Sequence, residues 1–315
     1  MKTYLAMDIG GSKYMVALIA EDGQILCRRQ GNWRILNEKY VLSQLLDEAR
    51  LLLDDSKVRP ASCGITIPGL ADTKKGLWVE ATFSGIREFA ICKEVGAALH
   101  LPSYCDNDGQ AYALAEMVFG CCRDVSDFLF INVSNGIGGA IVSGGKLLTG
   151  WRGFAGEFGH CNVVPLGRMC KCGQRGCLEM YAAGPAISHT YAENGGAPDE
   201  NGQIADCKTI AARSRAGDAI ATAAFKEAGR YIGQVLATAV NLLNPRRIVV
   251  GGGVSLAYDL FASSLRQSLQ GRIYAYANRD IEILPTPLGY DAGLYGAAAI
   301  ALTKDRQIES GEKES

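Results

Sequence analysis

The densest group of chemistry-bearing residues is His160 followed, after nine intervening residues, by Cys170-Lys171-Cys172-Gly173-Gln174-Arg175-Gly176-Cys177. Three thiolates and one imidazole form a closed tetrahedral set for zinc, and the glycines between the later ligands let the backbone wrap a small ion. A catalytic zinc keeps an open coordination position, so this set predicts a structural Zn²⁺ held by His160, Cys170, Cys172 and Cys177. The alternative is a loop of reduced surface cysteines. The chain holds 11 cysteines, an odd and scattered number that does not read as a disulfide framework.

Three glycine-rich turns follow apolar runs: Gly10-Gly11, Gly136 to Gly139, and Gly251-Gly252-Gly253. Such turns let backbone N–H groups approach a polyphosphate and an adenosine closely. Taken alone, each fits better a hairpin or strand-to-helix turn that needs positive φ. None matches the Walker pattern, because no Gly-Lys-Ser/Thr follows at the required spacing. Asp8, just before the first turn, is suited to hold Mg²⁺ through water, and Lys13 to neutralise phosphate; both suit an ordinary turn as well. Asp106-Asn107-Asp108 lies between an expected strand at 101–105 and an alanine-rich helix at 109–117. An acid there either caps the helix or serves as a general base. Phosphoryl transfer asks little covalent chemistry of a protein, so one oriented carboxylate with Mg²⁺ and phosphate-binding amides suffices.

The elements that must hold these groups read as α/β. Residues 4–20 predict strand, tight turn and strand, with Asp22-Gly23 leading into a third strand. Residues 128–148 repeat that plan around Asn135-Gly136-Ile137-Gly138-Gly139, which predicts a duplicated, two-lobed architecture. Leu42, Leu45, Leu46, Ala49, Leu52 and Leu53 fall at helical spacing, and 61–68 reads as a buried strand. Apolar residues from Ala221 to Leu243, ending at Asn244-Pro245, predict a long core helix. A strand at 247–250, a helix from Ser255 and a last helix at 292–302 follow. In the segment 304–315, seven of the twelve residues are charged, and it is expected to be disordered.

Composition narrows the partners. The 315 residues are 48% hydrophobic and 21% charged, which is enough for a buried core and about two domains. A net charge of −1 offers no basic field for nucleic acid or anionic lipid and suits a small neutral substrate. The start of the chain lacks the apolar core and cleavage site of a signal peptide, so a cytoplasmic location is expected. The uncharged run 128–145 contains five glycines and alternates like two strands, so no membrane span is expected.

Asp8-Ile9-Gly10-Gly11-Ser12-Lys13, Asp106-Asn107-Asp108, Gly156-Glu157-Phe158-Gly159-His160, the cysteine motif running on to Leu178-Glu179, and Gly251-Gly252-Gly253 resemble, in order, the motifs of ROK-family sugar kinases. The likeness spans residue 4 to about 302. It implies a two-lobed actin-like ATPase (ribonuclease H-like) fold with a structural zinc loop, and ATP–Mg²⁺ and a hexose meeting in the cleft. The implied lobes are 1–118 plus about 291–303, and 119–290 carrying the zinc loop. Asp108 becomes the catalytic base, and Asn107, Glu157, His160 and Glu179 become sugar-hydroxyl contacts. Asp8, Gly10, Gly11, Ser12, Lys13, Asn135, Gly136 and Gly252 fall on the nucleotide side. The reaction implied is transfer of the γ-phosphoryl group of ATP to a hexose or N-acetylhexosamine, at O6, by a homodimer. Asn, Glu and His supply the mixed donors and acceptors a neutral polyol needs.

Two departures stand out. Ser134-Asn135-Gly136 replaces the family's Gly-Thr-Gly, and Ala81-Thr82-Phe83-Ser84-Gly85-Ile86 replaces the Asn-Leu-Pro-Gly-Trp style of glucokinase-like members, in a loop that touches the sugar. The rival readings are a sugar-sensing transcriptional regulator of the same family, whose DNA-binding segment has no room before the strand at residue 4, and a catalytically inactive sugar-binding protein.

Overall fold

The computed structural model describes residues 1–34, 37–81, 85–274 and 276–311. In chain order they form β1 (Thr3–Ile9), β2 (Lys13–Ala20), β3 (Ile25–Asn32), α1 (Glu38–Ser56), β4 (Ser62–Ile67), β5 (Leu70–Asp72), β6 (Leu77–Ala81), β7 (Ile86–Phe89), α2 (Ile91–Leu99), β8 (Ser103–Asn107) and α3 (Asp108–Val118). Next come β9 (Phe128–Val133), β10 (Ile137–Ser143), β11 (Lys146–Leu147), α4 (Glu179–Ala182), α5 (Gly184–Glu193) and α6 (Cys207–Arg215). The chain closes with α7 (Ala219–Leu243), β12 (Arg247–Gly251), α8 (Tyr258–Gln270), β13 (Glu282–Pro285) and α9 (Ala292–Ser310).

Two compact units result. One is Met1–Asp124 with Leu147–Ala155 and Tyr290–Ser315; the other is Val125–Lys146 with Gly156–Gly289. The segment 147–155, expected with the second lobe, groups with the first unit. Each unit carries a five-stranded mixed sheet of one plan, β3-β2-β1-β4-β8 in the first and β11-β10-β9-β12-β13 in the second. In both, a meander edge is antiparallel and the two strands beyond the central one run parallel. A small antiparallel sheet, β5-β6-β7, belongs to the first unit.

The period-2 alternation of β1 explains the layering of the first unit. Leu5, Met7 and Ile9 pack with Val41, Leu45 and Leu52 of α1, while Tyr4 and Ala6 pack with Leu294, Ala297 and Ala301 of α9. Helix α9 lies so close to β4 that a Cβ on Gly64 would fall 1.8 Å from the Ala297 carbonyl oxygen. In the second unit Leu129, Ile131 and Val133 of β9 share a core with Ile232, Leu236 and Val240 of α7. Helix α7 starts where the Asp218 carboxylate accepts the Ile220 and Ala221 N–H groups, and stops at left-handed Asn244 before Pro245.

Two expectations need correction. The charged segment from 304 is helical through Ser310 as the continuation of α9, whose buried residues run from Ala292 to Leu302. Asp305 accepts from Ser62 Oγ at 3.1 Å, and Glu309 pairs with Lys2. The helix expected from Ser255 opens as a 3-10 turn, Gly253–Ala257, before α8. Among the described residues no helix is long and apolar enough to cross a membrane.

Candidate functional site

In the first unit the parallel register aligns Asp8 of β1, Thr66 of β4 and Asp106 of β8. Thr66 Oγ1 donates to Asp8 Oδ1 at 2.5 Å. The Asp8 carboxylate fits only because Gly293 of α9 lacks a side chain, since a Cβ there would come within 2.2 Å of it. Burial raises Asp8 above the usual carboxylate range, while the Thr66 bond and Lys13 pull it down in part. Burial pushes Asp106 up to about 7, against the Asn107 N–H that it accepts at 2.8 Å and against Lys304.

The turn at Gly10 is closed by its N–H on the Lys13 carbonyl (2.9 Å) and by Trp33 Nε1 on its own carbonyl (2.8 Å). Gly11 and Ser12 are exposed, and the Lys13 ammonium rests 3.6 Å from the centre of the Tyr290 ring. Neither Gly10 nor Gly11 has positive φ. At Gly10 the constraint is space, since a Cβ would sit 3.1 Å from the Lys13 carbonyl oxygen.

Strand β8 delivers Asn107 and Asp108 to the start of α3. The cap is Asn107, whose Oδ1 accepts from the Gln110 N–H at 2.8 Å. Asp108 is therefore the first helical residue. Its Oδ1 accepts from the Gly109 N–H at 2.9 Å, at the end of a helix that favours negative charge. Tyr112, one turn on, has its hydroxyl held protonated well above the usual tyrosine range by burial and by the charges of Asp8 and Asp108. Gln110 donates from Nε2 to the Gly153 carbonyl at 2.7 Å, and its buried Oε1 has no partner among the described residues. Thr66, Gln110, Tyr112 and Gly293 carry no motif, and only the strand register and helix packing reveal them.

In the second unit β9 and β12 run side by side and end in the two other glycine turns. Ser134 N–H bonds the Gly136 carbonyl (2.9 Å) and Gly184 N–H the Ser134 carbonyl (2.8 Å), leaving Asn135 exposed. Gly252 does require positive φ, 85°, and a Cβ on it would lie 2.3 Å from the Val133 carbonyl oxygen. Gly136 and Gly139 have ordinary φ and owe their size limit to neighbours: a Cβ would meet Glu179 Oε2 at 2.7 Å and Phe158 at 2.5 Å respectively. Buried Asn132 at this corner has an Oδ1 without a partner among the described residues, a feature with no sequence signal.

The segment from Gly156 to His160 lies along β10. A Cβ on Gly156 would meet the Gly139 carbonyl oxygen at 2.4 Å, and one on Gly159 the Ile137 carbonyl oxygen at 2.1 Å. This places His160 with Nδ1 3.8 Å from Cys170 Sγ and Nε2 3.9 Å from Glu157 Oε2. Burial raises the Glu157 carboxyl; His160 lowers it and Glu179 raises it, so the three predicted sugar contacts of this unit share one neighbourhood. Glu179 Oε2 accepts from the Ile137 N–H at 3.0 Å, tying it to the Gly136 turn.

Donor atoms of His160, Cys170, Cys172 and Cys177 all lie within 4.8 Å of one another. Cys172 Sγ and Cys177 Sγ are 3.6 Å apart. A tetrahedron with Zn–S near 2.3 Å and Zn–N near 2.0 Å has edges of about 3.5–3.8 Å, and the His160–Cys170 and Cys172–Cys177 separations of 3.8 and 3.6 Å match those edges. Burial pushes the Cys177 thiol up to about 12, and a bound cation is what would hold it as thiolate at neutral pH.

The departure at Thr82-Phe83-Ser84 lies outside the described residues. The family model described as "ROK family" matches residues 4–304. An N-acetylmannosamine kinase of Escherichia coli O9:H4 is 35% identical over 305 residues, covering 95% of this chain and 98% of the relative. A solved ROK family glucokinase from Streptomyces griseus, in complex with glucose and AMPPNP, is 30% identical with a TM-score of 0.82, covering 94% and 98%. A solved ROK family transcriptional regulator, a homologue of the E. coli MLC protein, has a TM-score of 0.86 at 28% identity, covering 95% of this chain and 78% of that one. With a family match along residues 4–304, the chain belongs to the ROK family.

Proposed function

We propose that this protein is an ATP-dependent sugar kinase that transfers the γ-phosphoryl group to a hydroxyl, O6, of a hexose or N-acetylhexosamine, with Asp108 as general base. The observation that supports the role of Asp108 is its place: Asn107 is the cap residue of α3, which leaves Asp108 as the first residue of the helix rather than its cap. In this reading Asp108 takes the proton of the attacking hydroxyl as the oxygen approaches the γ-phosphorus in line, and no phosphoenzyme forms. Backbone N–H groups of the exposed residues Gly11 and Ser12 and the Lys13 ammonium neutralise phosphate charge, and Asp8 orders the water shell of the Mg²⁺ that arrives with ATP. Asn135, Gly136 and Gly252 are further nucleotide contacts in this reading. Asn107, through the amide left free by capping, and Glu157, His160 and Glu179 bind sugar hydroxyls. Zn²⁺ at His160, Cys170, Cys172 and Cys177 would fix the imidazole and hold Cys177, two residues before Glu179, and needs no part in the chemistry.

The named kinases resemble this chain over nearly their full lengths, which favours the kinase reading. The test is ADP release with Mg²⁺ and ATP across glucose, mannose, fructose, allose, N-acetylmannosamine and N-acetylglucosamine. One or two active sugars, with the phosphate on O6 by phosphorus–proton coupling, is the expected result. A flat panel would overturn the proposal.

A further inference from the structure

Helix α4 is a single turn, Glu179–Ala182, and a helix that short has no stability of its own. Its first residue nevertheless holds a carboxylate against the Ile137 N–H at 3.0 Å. One restraint is Cys177, two residues upstream in the Cys/His cluster. A second restraint is independent of any ion. Arg168, in the loop between His160 and Cys170, donates from Nη1 to the carbonyl of Met180, the residue after Glu179, at 2.9 Å. Its backbone N–H donates to the Tyr181 hydroxyl at 2.7 Å, and its guanidinium lies 4.9 Å from the centre of the Tyr181 ring. Nη2 reaches Thr190 Oγ1 of α5 at 3.1 Å and pairs with Glu193. Gly167 permits this approach, since a Cβ there would fall 2.1 Å from the Tyr181 hydroxyl.

We propose that Arg168 is a positioning residue for Glu179: with Tyr181 it forms a clamp, separate from the Cys/His cluster, that holds the Glu179 carboxylate on the Asn135-Gly136-Ile137 turn and so sets sugar affinity. Its kinetic part rests on the sugar-kinase reading, and its structural part does not. Arginine is suited to the task because one planar fork bonds a carbonyl and a hydroxyl while its face stacks on a ring, which the point charge of lysine does not reproduce. The guanidinium is largely covered, so its bonds are little diluted by water.

The test uses the full chain with Arg168→Gln, Glu179→Gln and the double variant. Zinc content by elemental analysis should be that of wild type in all three. Amide hydrogen exchange at Ile137 should speed up about tenfold in Arg168→Gln, a readout that needs no substrate. With the sugar selected by the panel, the KM for sugar should rise about tenfold with little change for ATP, as for outer residues that orient a binding group. Arg168→Lys should restore only part of the loss. The double variant should be no worse than Glu179→Gln alone, because Arg168 acts through that carboxylate. Additive losses, or unchanged Ile137 exchange in folded Arg168→Gln, would overturn the clamp. If Arg168→Gln does not fold, Tyr181→Phe removes only the hydroxyl that the Arg168 N–H engages and should give the same pattern at smaller size; unchanged exchange at Ile137 in Tyr181→Phe would overturn the clamp as well. An inactive wild type with accelerated exchange in the variant would sink the kinase reading and leave the clamp standing.

Discussion

Gly136→Ala should leave the fold intact while disabling the site. Gly136 has no positive φ, so alanine is conformationally allowed and gains up to about 1 kcal/mol from a stiffer unfolded chain. Its methyl group, however, would lie 2.7 Å from Glu179 Oε2, well inside ordinary contact. The carboxylate is the far end of a flexible side chain and can retreat at small cost, but it then gives up the 3.0 Å bond to the Ile137 N–H. A hydrogen bond to a charged group is worth about 1.5–3 kcal/mol, or roughly 10- to 100-fold in kcat/KM. The expected outcome is a folded protein melting a few degrees below wild type, since the lost bond outweighs the gain of up to about 1 kcal/mol, with kcat/KM for sugar down by about that factor. Thermal melts and initial rates at varied sugar and varied ATP measure both halves. Wild-type kcat/KM would refute the reasoning, and so would a loss confined to the KM for ATP, which would mean that the methyl group obstructs phosphate.

Three further outcomes are expected. Asp108→Asn should keep sugar affinity within several-fold by calorimetry and lose about 10²–10⁴-fold in turnover, because an amide cannot take the hydroxyl proton; near wild-type turnover would remove Asp108 from the mechanism. Cys172→Ser should lower zinc content and weaken sugar binding far more than binding of a nonhydrolysable ATP analogue, with some loss of stability; equal weakening of both ligands would instead mean general destabilisation. Asp106→Asn should flatten the dependence of stability on pH. The folded-state value of about 7 lies some 3 units above that of an unfolded aspartate, so the stability tied to its protonation is complete below about pH 4 and is lost as pH rises through 7. About 3 kcal/mol of that loss should fall between pH 5 and 8, so urea melts showing the same slope for wild type and variant would disprove the assignment.

Much of the site was legible because its residue types are costly anywhere else. A histidine and three cysteines at this spacing have few uses besides a metal, and their donor atoms do converge. The duplicated strand-turn-strand plan was legible from period-2 alternation, and each copy became the antiparallel edge of its own sheet. The long helix was legible from a 3.6-residue period closed by Asp218 and Asn244-Pro245. Sequence alone also left Asp106-Asn107-Asp108 open between cap and base, because both roles call for the same residue types at the same place. The backbone assigned the cap to Asn107.

What only the tertiary structure decided are the contacts between residues far apart in the chain. The polar row Asp8, Thr66 and Asp106 exists because three strands separated by about 40–60 residues align in parallel register, and no local pattern encodes a register. The glycine turns read in sequence as serving either close approach to phosphate or positive φ, yet Gly10 and Gly136 face a carbonyl and a carboxylate, and Gly139 a carbonyl and a ring, in the space a side chain would take. The charged end of the chain looked too polar to order, but composition does not show that it continues a helix buried from Ala292 to Leu302 and is tied to Ser62 and Lys2 through Asp305 and Glu309. Sequence thus determined which residue types the chain carries and at what spacing; packing determined which of them meet, because contacts are distances, and distances are set only once the chain has folded.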